Sequence, residues 1–333
     1  MEYAYLGKSG LAVSRLCLGS MTFGGQTDEA ESARMIHAFL DQGGNFIDTA
    51  DVYTGGRSEE IVGKHIKDRR SEVVLATKVR MRTSPDVNGF GASRKRIMDG
   101  IDASLKRLGT DYIDLYQIHV WDADTPVEET LRALDDLVAS GKVRYIGCSN
   151  YLSWQLMKSL GISDVRGYSR YISLQQQYSL VNREADRELV SLCAEEKVGI
   201  IPWAPLGGGF LTGKYRRGET PNEGRLGTAK TGESSWESRA YDKNFAILDT
   251  VLAAAEETGK TPAQVSLNWL LEQPCITSPI FGASTYAQFE ENLGSVGWRL
   301  PQELRQRLDE VSALPDEYPA RFVNKFSRNI NHP

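Results

Sequence analysis

Short apolar, β-branched runs recur along this chain at nearly regular intervals: residues 44–48 (GNFID), 72–78 (EVVLATK), 113–119 (IDLYQIH), 143–148 (VRYIGC), 171–177 (YISLQQQ) and 198–203 (VGIIPW). Each is too short for a core helix and too continuously apolar for a half-exposed strand, so each reads as a parallel strand buried on both faces. Their ends fall at 48, 78, 119, 148, 177 and 203, so the repeat runs from 26 to 41 residues. That length fits a strand plus a helix returning by a right-handed crossover. Two helix starts stand out, Thr125-Pro126-Val127-Glu128 and Thr261-Pro262-Ala263-Gln264, each a capping box with proline at the first helical position.

Adding an early strand at 15–19 and a late one at 277–281 gives eight strand–helix units. Eight units over 333 residues predict an α/β fold, a (β/α)8 TIM barrel, as one domain spanning 1–333. Its core is expected at about 3–313, followed by a tail at 314–333. Residues 3–16 alternate about Gly7-Lys8-Ser9-Gly10, which predicts a β-hairpin plugging the barrel bottom.

The formal net charge of −5 provides no basic surplus of the kind that sequence-independent nucleic-acid binding requires. No run approaches the roughly 18 apolar residues of a membrane span, and the opening MEYAYLGKSG is no secretory signal. A cytoplasmic protein without nucleic-acid or membrane partners is the expectation. Cys17, Cys148, Cys193 and Cys275 form no CxxC pair and read as buried small hydrophobes. His37, His65, His119 and His332 show no metal-site spacing, so no metal is expected.

Three of the apolar runs end on an ionisable residue: Asp48, Lys78 and His119. Singly, Asp48 reads as a turn cap, Lys78 as a snorkelling side chain and His119 as a satisfied core histidine. In a barrel, however, the strand C-termini share one face, where active sites form, so the three converge. Tyr53 follows in the same loop as Asp48, within the phrase Asp48-Thr49-Ala50-Asp51-Val52-Tyr53-Thr54-Gly55-Gly56-Arg57-Ser58-Glu59-Glu60.

That phrase resembles the signature of the aldo-keto reductases. The resemblance continues through Ala76-Thr77-Lys78, residues 114–119 (DLYQIH), 147–151 (GCSNY) and Glu290-Glu291-Asn292. It covers residues 3–313 and is closest to the branch of bacterial oxidoreductases and potassium-channel β subunits. It implies that Asp48, Tyr53, Lys78 and His119 form a catalytic tetrad, with Tyr53 giving a proton to a carbonyl oxygen as nicotinamide gives hydride to carbon. A lysine ammonium about 4 Å from the phenol would favour phenolate by up to about three pKa units.

The cofactor implied is NADPH/NADP+, with NADH left open. The resemblance places Trp203 on the nicotinamide ring and Ser149, Asn150 and Gln175 on its carboxamide. Pro205, Leu206, Gly208 and Lys214 fall on the glycine-rich segment after the seventh strand, whose amides suit a pyrophosphate. Gly208 to Lys214 also fits GxxxxGK, but Tyr215 follows where a Walker loop needs Ser or Thr. Gly282, Ser284, Gln288, Glu291 and Asn292 form the adenosine end. Gly282 and Gln288 stand where the best-known branch has two cations for the 2′-phosphate, and Arg225, in the long irregular stretch 214–238, is the candidate substitute.

The expected partner is a small-molecule carbonyl compound reduced to an alcohol, at a mouth lined by Phe23, Trp121, Tyr151, the long loop and the tail. Oligomeric state is open, a homo-oligomer included. Two other readings compete: a redox-sensing cofactor-binding module like the channel β subunits, and a Schiff-base aldolase using Lys78.

Overall fold

The computed structural model describes residues 1–222, 224–228 and 235–326. Parts of the long loop at 214–238 and of the tail therefore lie outside the described residues.

An antiparallel hairpin, β1 (Tyr3–Tyr5) with β2 (Ala12–Ser14), precedes eight parallel strands. These are β3 (Cys17–Gly19), β4 (Phe46–Asp48), β5 (Val74–Val79), β6 (Ile113–Ile118), β7 (Val143–Ser149), β8 (Tyr171–Gln177), β9 (Gly199–Trp203) and β10 (Ile280–Phe281). They neighbour one another in chain order, with β10 beside β3. The ring is completed where the Ile200 N–H donates to Cys275 O and Thr277 N–H donates to Ile200 O. Eight strands joined through helices make the expected (β/α)8 barrel, with each repeated strand ending within one residue of where the sequence placed it.

The hairpin closes the bottom. Leu6 and Val13 join Cys17, Phe46, Val74, Ala76, Leu115 and Ile201 in a cluster inside the ring. Gly7, at φ +57°, sits so close to the backbone of Ile172 and Lys197 that a Cβ there would overlap the Ile172 oxygen. Only glycine combines that left-handed backbone with that approach.

Around the ring run α1 (Glu29–Asp41), α2 (Arg57–Ile66), α3 (Arg94–Leu108), α4 (Val127–Ala139), α5 (Ser153–Arg166) and α6 (Leu189–Glu196). The chain then forms α7 (Gly224–Thr228), α8 (Asp242–Thr258), α9 (Pro262–Leu271), α10 (Tyr286–Leu293), α11 (Gln302–Ser312) and α12 (Ala320–Phe326). The predicted capping box opens α9: Gln264 N–H donates to Thr261 Oγ1, and Thr261 N–H to Gln264 Oε1, at 3.2 Å each. At α4 the expectation is corrected. The N-cap residue is Pro126, one position later than expected, and Thr125 Oγ1 donates to Asp122 Oδ2 at 2.7 Å. No described helix is long and apolar enough to cross a membrane.

Candidate active site

Side chains alternate across a strand, so a residue at its C-terminal end faces either the ring interior or the surrounding helices. Asp48, Lys78 and Gln117 all face inward from neighbouring strands and are 0–3% exposed. An isolated buried charge is very costly, so the geometry must pair these groups. Lys78 Nζ lies 2.5 Å from Asp48 Oδ1 and 2.8 Å from Thr49 O, and 3.3 Å from Tyr53 Oη. The other carboxylate oxygen, Asp48 Oδ2, accepts from Gln117 Nε2 at 3.1 Å and from Gln175 Nε2 at 2.9 Å.

Burial lowers the Lys78 ammonium's pKa, but Asp48 and Tyr53 more than offset this, leaving it above its ordinary value. Lys78 does pull the Tyr53 phenol toward phenolate, as expected, but it is outweighed. Burial raises the Tyr53 phenol, and although Lys78 pulls it down, Asp48 opposes that pull, so the net shift is upward. Tyr53 thus keeps its proton in the free protein.

His119 follows β6, its ring edge-on to Tyr53 with centroids 5.8 Å apart. Burial, with Lys78 and then Arg80, lowers its pKa to about 3, so the imidazole is neutral. Its Nδ1 is buried with no hydrogen-bond partner among the described residues. Asn150 Nδ2 donates to His119 O and Ser149 Oγ at 2.9 Å each, while Asn150 Oδ1 accepts from Trp203 Nε1 at 3.0 Å. Asp48, Lys78, Tyr53, Gln117 and Gln175 thus form one hydrogen-bonded group, and Asn150 joins Ser149, Trp203 and the His119 backbone in another, the two linked where the Asn150 N–H donates to Gln175 O at 3.0 Å.

After β9 the chain passes Pro205 and Leu206 into a 3-10 segment, Gly207–Thr212, with Gly207, Gly208 and Gly209 all at positive φ. No helix follows directly, which is not the build of a Walker loop. A Cβ on Gly208 would press Leu226 at 3.0 Å, and one on Gly209 would press Lys214 Nζ at 3.3 Å. Lys214 thus curls back over the glycines, and α7 lies beside them. Arg225, on α7, is close enough to Tyr53 for its charge to favour the phenolate. The cradle and its two cations fit a bound dinucleotide pyrophosphate.

At the other end, Gln288 Oε1 accepts from Ser284 N and Oγ at 3.0 Å each, and Asn292 Nδ2 donates to Gly282 O at 3.3 Å. Gly282, Ser284, Gln288, Glu291 and Asn292 lie together where β10 enters α10. Two of the expected mouth residues are elsewhere. Phe23 is fully buried and Tyr151 is 2% exposed, its hydroxyl 3.4 Å from that of Tyr171. Trp121 does reach the surface, edge-on to Tyr151 and to Trp154, which is 56% exposed. Sequence reasoning missed Gln117, although its position two residues before His119 on one strand was the available signal.

The sequence model of the Aldo/keto reductase family matches residues 15–313. The chain belongs to this family. It is 38% identical to the versiconal hemiacetal acetate reductase of Aspergillus parasiticus, over 93% of this chain and 96% of that one. It is also 37% identical to the uncharacterized oxidoreductase YrpG of Bacillus subtilis, covering 95% and 97%. A probable voltage-gated potassium channel subunit beta of Arabidopsis thaliana is 37% identical, covering 96% and 98%. Family members act as oxidoreductases with nicotinamide cofactors, and this chain carries the fold and the family's carbonyl-reducing character.

Proposed function

We propose that this protein, one barrel unit with one site, reduces an aldehyde or ketone to an alcohol using NADPH, with Tyr53 as the proton donor. The carrying observation is that Lys78 Nζ touches both Asp48 and Tyr53 Oη. The cofactor supplies hydride, which no side chain can donate. Asp48 keeps Lys78 charged and aimed. Neutral His119 and protonated Tyr53 donate hydrogen bonds to the carbonyl oxygen, stabilising the negative charge that grows there. As that charge develops, Tyr53 passes its proton to the oxygen, and Lys78 stabilises the phenolate left behind.

Trp203 would stack on the nicotinamide, with Ser149 and Asn150 on its carboxamide. Gln175 has given its amide nitrogen to Asp48, so it would meet the carboxamide through its carbonyl oxygen. Pro205, Leu206, Gly208 and Lys214 would hold the pyrophosphate. Arg225, being felt at Tyr53, suits that end better than the 2′-phosphate. Gly282, Ser284, Gln288, Glu291 and Asn292 would take the adenosine, and NADPH preference then rests on neutral donors at Ser284 and Gln288. The compartment proposed is the cytoplasm.

The test follows NADPH absorbance with an activated aromatic aldehyde in wild type and Tyr53→Phe, with cofactor affinity measured by fluorescence. A loss of at least about a thousandfold in kcat at unchanged cofactor Kd is expected. Equal turnover in the two would overturn the reading. The likeness to a channel β subunit supports a second reading, a cofactor-sensing module; tight cofactor binding with no turnover of any aldehyde tried would favour it.

A further inference from the structure

A second charged cluster lies behind the catalytic strand ends, outside the reacting atoms. Asp51 stands two residues before Tyr53, and its N–H donates to Lys78 O at 3.2 Å, the last rung between the β4 and β5 segments. Its side chain points away from the barrel interior and is 3% exposed, with Oδ2 2.5 Å from Arg96 Nη2 of α3. The same nitrogen donates to Met81 O and Thr83 Oγ1, both at 3.2 Å. One guanidinium therefore joins the segment entering Tyr53 to the segment leaving the strand of Lys78.

Room for this cluster comes from Gly100. A Cβ there would lie 2.5 Å from Arg96 Nη1 and 3.2 Å from Tyr116 Oη. Tyr116 belongs to β6, the strand that leads to His119. Asp51 Oδ1, Arg96 Nε and Tyr116 Oη are all buried without a hydrogen-bond partner among the described residues. Buried unpartnered polar atoms are costly and are retained where something else is gained.

We propose that Asp51 and Arg96 are a positioning pair that holds Tyr53 within hydrogen-bonding reach of Lys78. The inference rests on the reading of Tyr53 as proton donor. Neither residue touches substrate; both act through the backbone between Asp51 and Tyr53. The ionisable groups facing Asp51 are Arg96 and Arg107 of α3, Glu59 of α2 and Tyr116 of β6. Burial raises the Asp51 carboxyl to about 6, against the pull of Arg96. The pair is therefore ionic above that pH and becomes a weaker neutral contact below it.

Asp51→Asn fixes the neutral state. It should lower kcat at pH 7.5 by about ten- to a hundredfold, the scale of a small misplacement of a reacting group. It should leave cofactor Kd within about twofold and lack the decline in kcat expected of wild type as pH falls through 6. Arg96→Lys retains a cation but loses the planar guanidinium, and should fall between the two while keeping the decline.

A readout without turnover is the spectrophotometric titration of the Tyr53 phenol, taken by difference from Tyr53→Phe. In Asp51→Asn the phenol should titrate higher, having lost part of its contact with Lys78. A kcat, pH profile and phenol titration matching wild type would overturn the inference, as would a kcat loss that only follows a lowered Tm with the pH decline intact. If Tyr53→Phe turns over like wild type, the reading of the site fails; if it is inactive while Asp51→Asn is normal, only this inference fails.

Discussion

At the floor of the site, Asp48, Lys78 and Gln117 come from three adjacent strands, are almost fully buried, and are hydrogen-bonded to one another. At the rim, Trp154 is 56% and Phe322 58% exposed, and the chain just before α12 makes an exposed ion pair, Arg187 to Glu317 at 3.0 Å. The floor is a geometry that cannot relax without stranding a charge. The rim is a set of side chains whose surroundings are solvent. Chemistry requires the first kind of site, whereas choice among substrates tolerates the second.

The contrast breaks first at Lys78. Lys78→Met leaves the Asp48 carboxylate buried without its cation, and removing one partner of a buried pair costs about 3–5 kcal/mol. We expect kcat to fall by about a thousandfold or more, together with a clear drop in the urea midpoint. A variant that lost turnover but unfolded like wild type would show that Asp48 is solvated, and that floor and rim differ less than the structure implies.

His119 sharpens the same contrast through pH. Its pKa in the fold is about 3, below the ordinary 6.5, so the unfolded chain binds the proton more readily. Its stability contribution is therefore complete above pH 6.5 and is lost as pH falls from there toward 3. By pH 5 the loss is up to about 2 kcal/mol. Urea unfolding at pH 7 and pH 5 should show this slope in wild type and not in His119→Asn. An equal slope in both would assign the acid sensitivity to other groups.

The floor was legible in the sequence because two periodicities overlap there. Strand spacing located β4, β5 and β6 within a residue, and inward alternation brought Asp48, Lys78 and His119 together. What sequence could not give was the sum of competing electrostatic effects at Tyr53, where burial and Asp48 outweigh Lys78 and reverse the expected shift. Nor did it show that Phe23 and Tyr151 turn into the core, since an aromatic residue in a loop has no periodicity to fix its face. The Asp51–Arg96 link was equally illegible, for it joins residues 45 positions apart through a side chain on a surrounding helix.

Arg225 stands between the two regions. Its segment belongs to the rim, yet its charge reaches Tyr53. Arg225→Ala should weaken NADPH binding by about tenfold, or 1.4 kcal/mol, the size of one charge-assisted contact. Fluorescence titration with NADPH and NADH decides its place: equal losses assign it to the pyrophosphate, and a loss confined to NADPH assigns it to the 2′-phosphate.

The smallest effect is expected at the far end of the rim. Tyr318, Phe322 and Phe326 stack mainly on one another, with ring centroids 6.4 and 4.7 Å apart, and all three are more than half exposed. Ending the chain after Asp316 removes them together with Glu317, the partner of Arg187. An exposed pair contributes about 0–1 kcal/mol, and exposed rings leave little apolar burial to lose, so Tm should move by no more than about 2 °C. Turnover of a small aldehyde should be unchanged, because among the described residues no hydrogen bond or ion pair joins Asp48, Lys78 or Gln117 to the tail. If the truncated protein instead shows a raised KM for bulky aromatic aldehydes at constant kcat, the tail joins Trp121 and Trp154 in binding substrate, and the boundary between floor and rim is also the boundary between catalysis and selection.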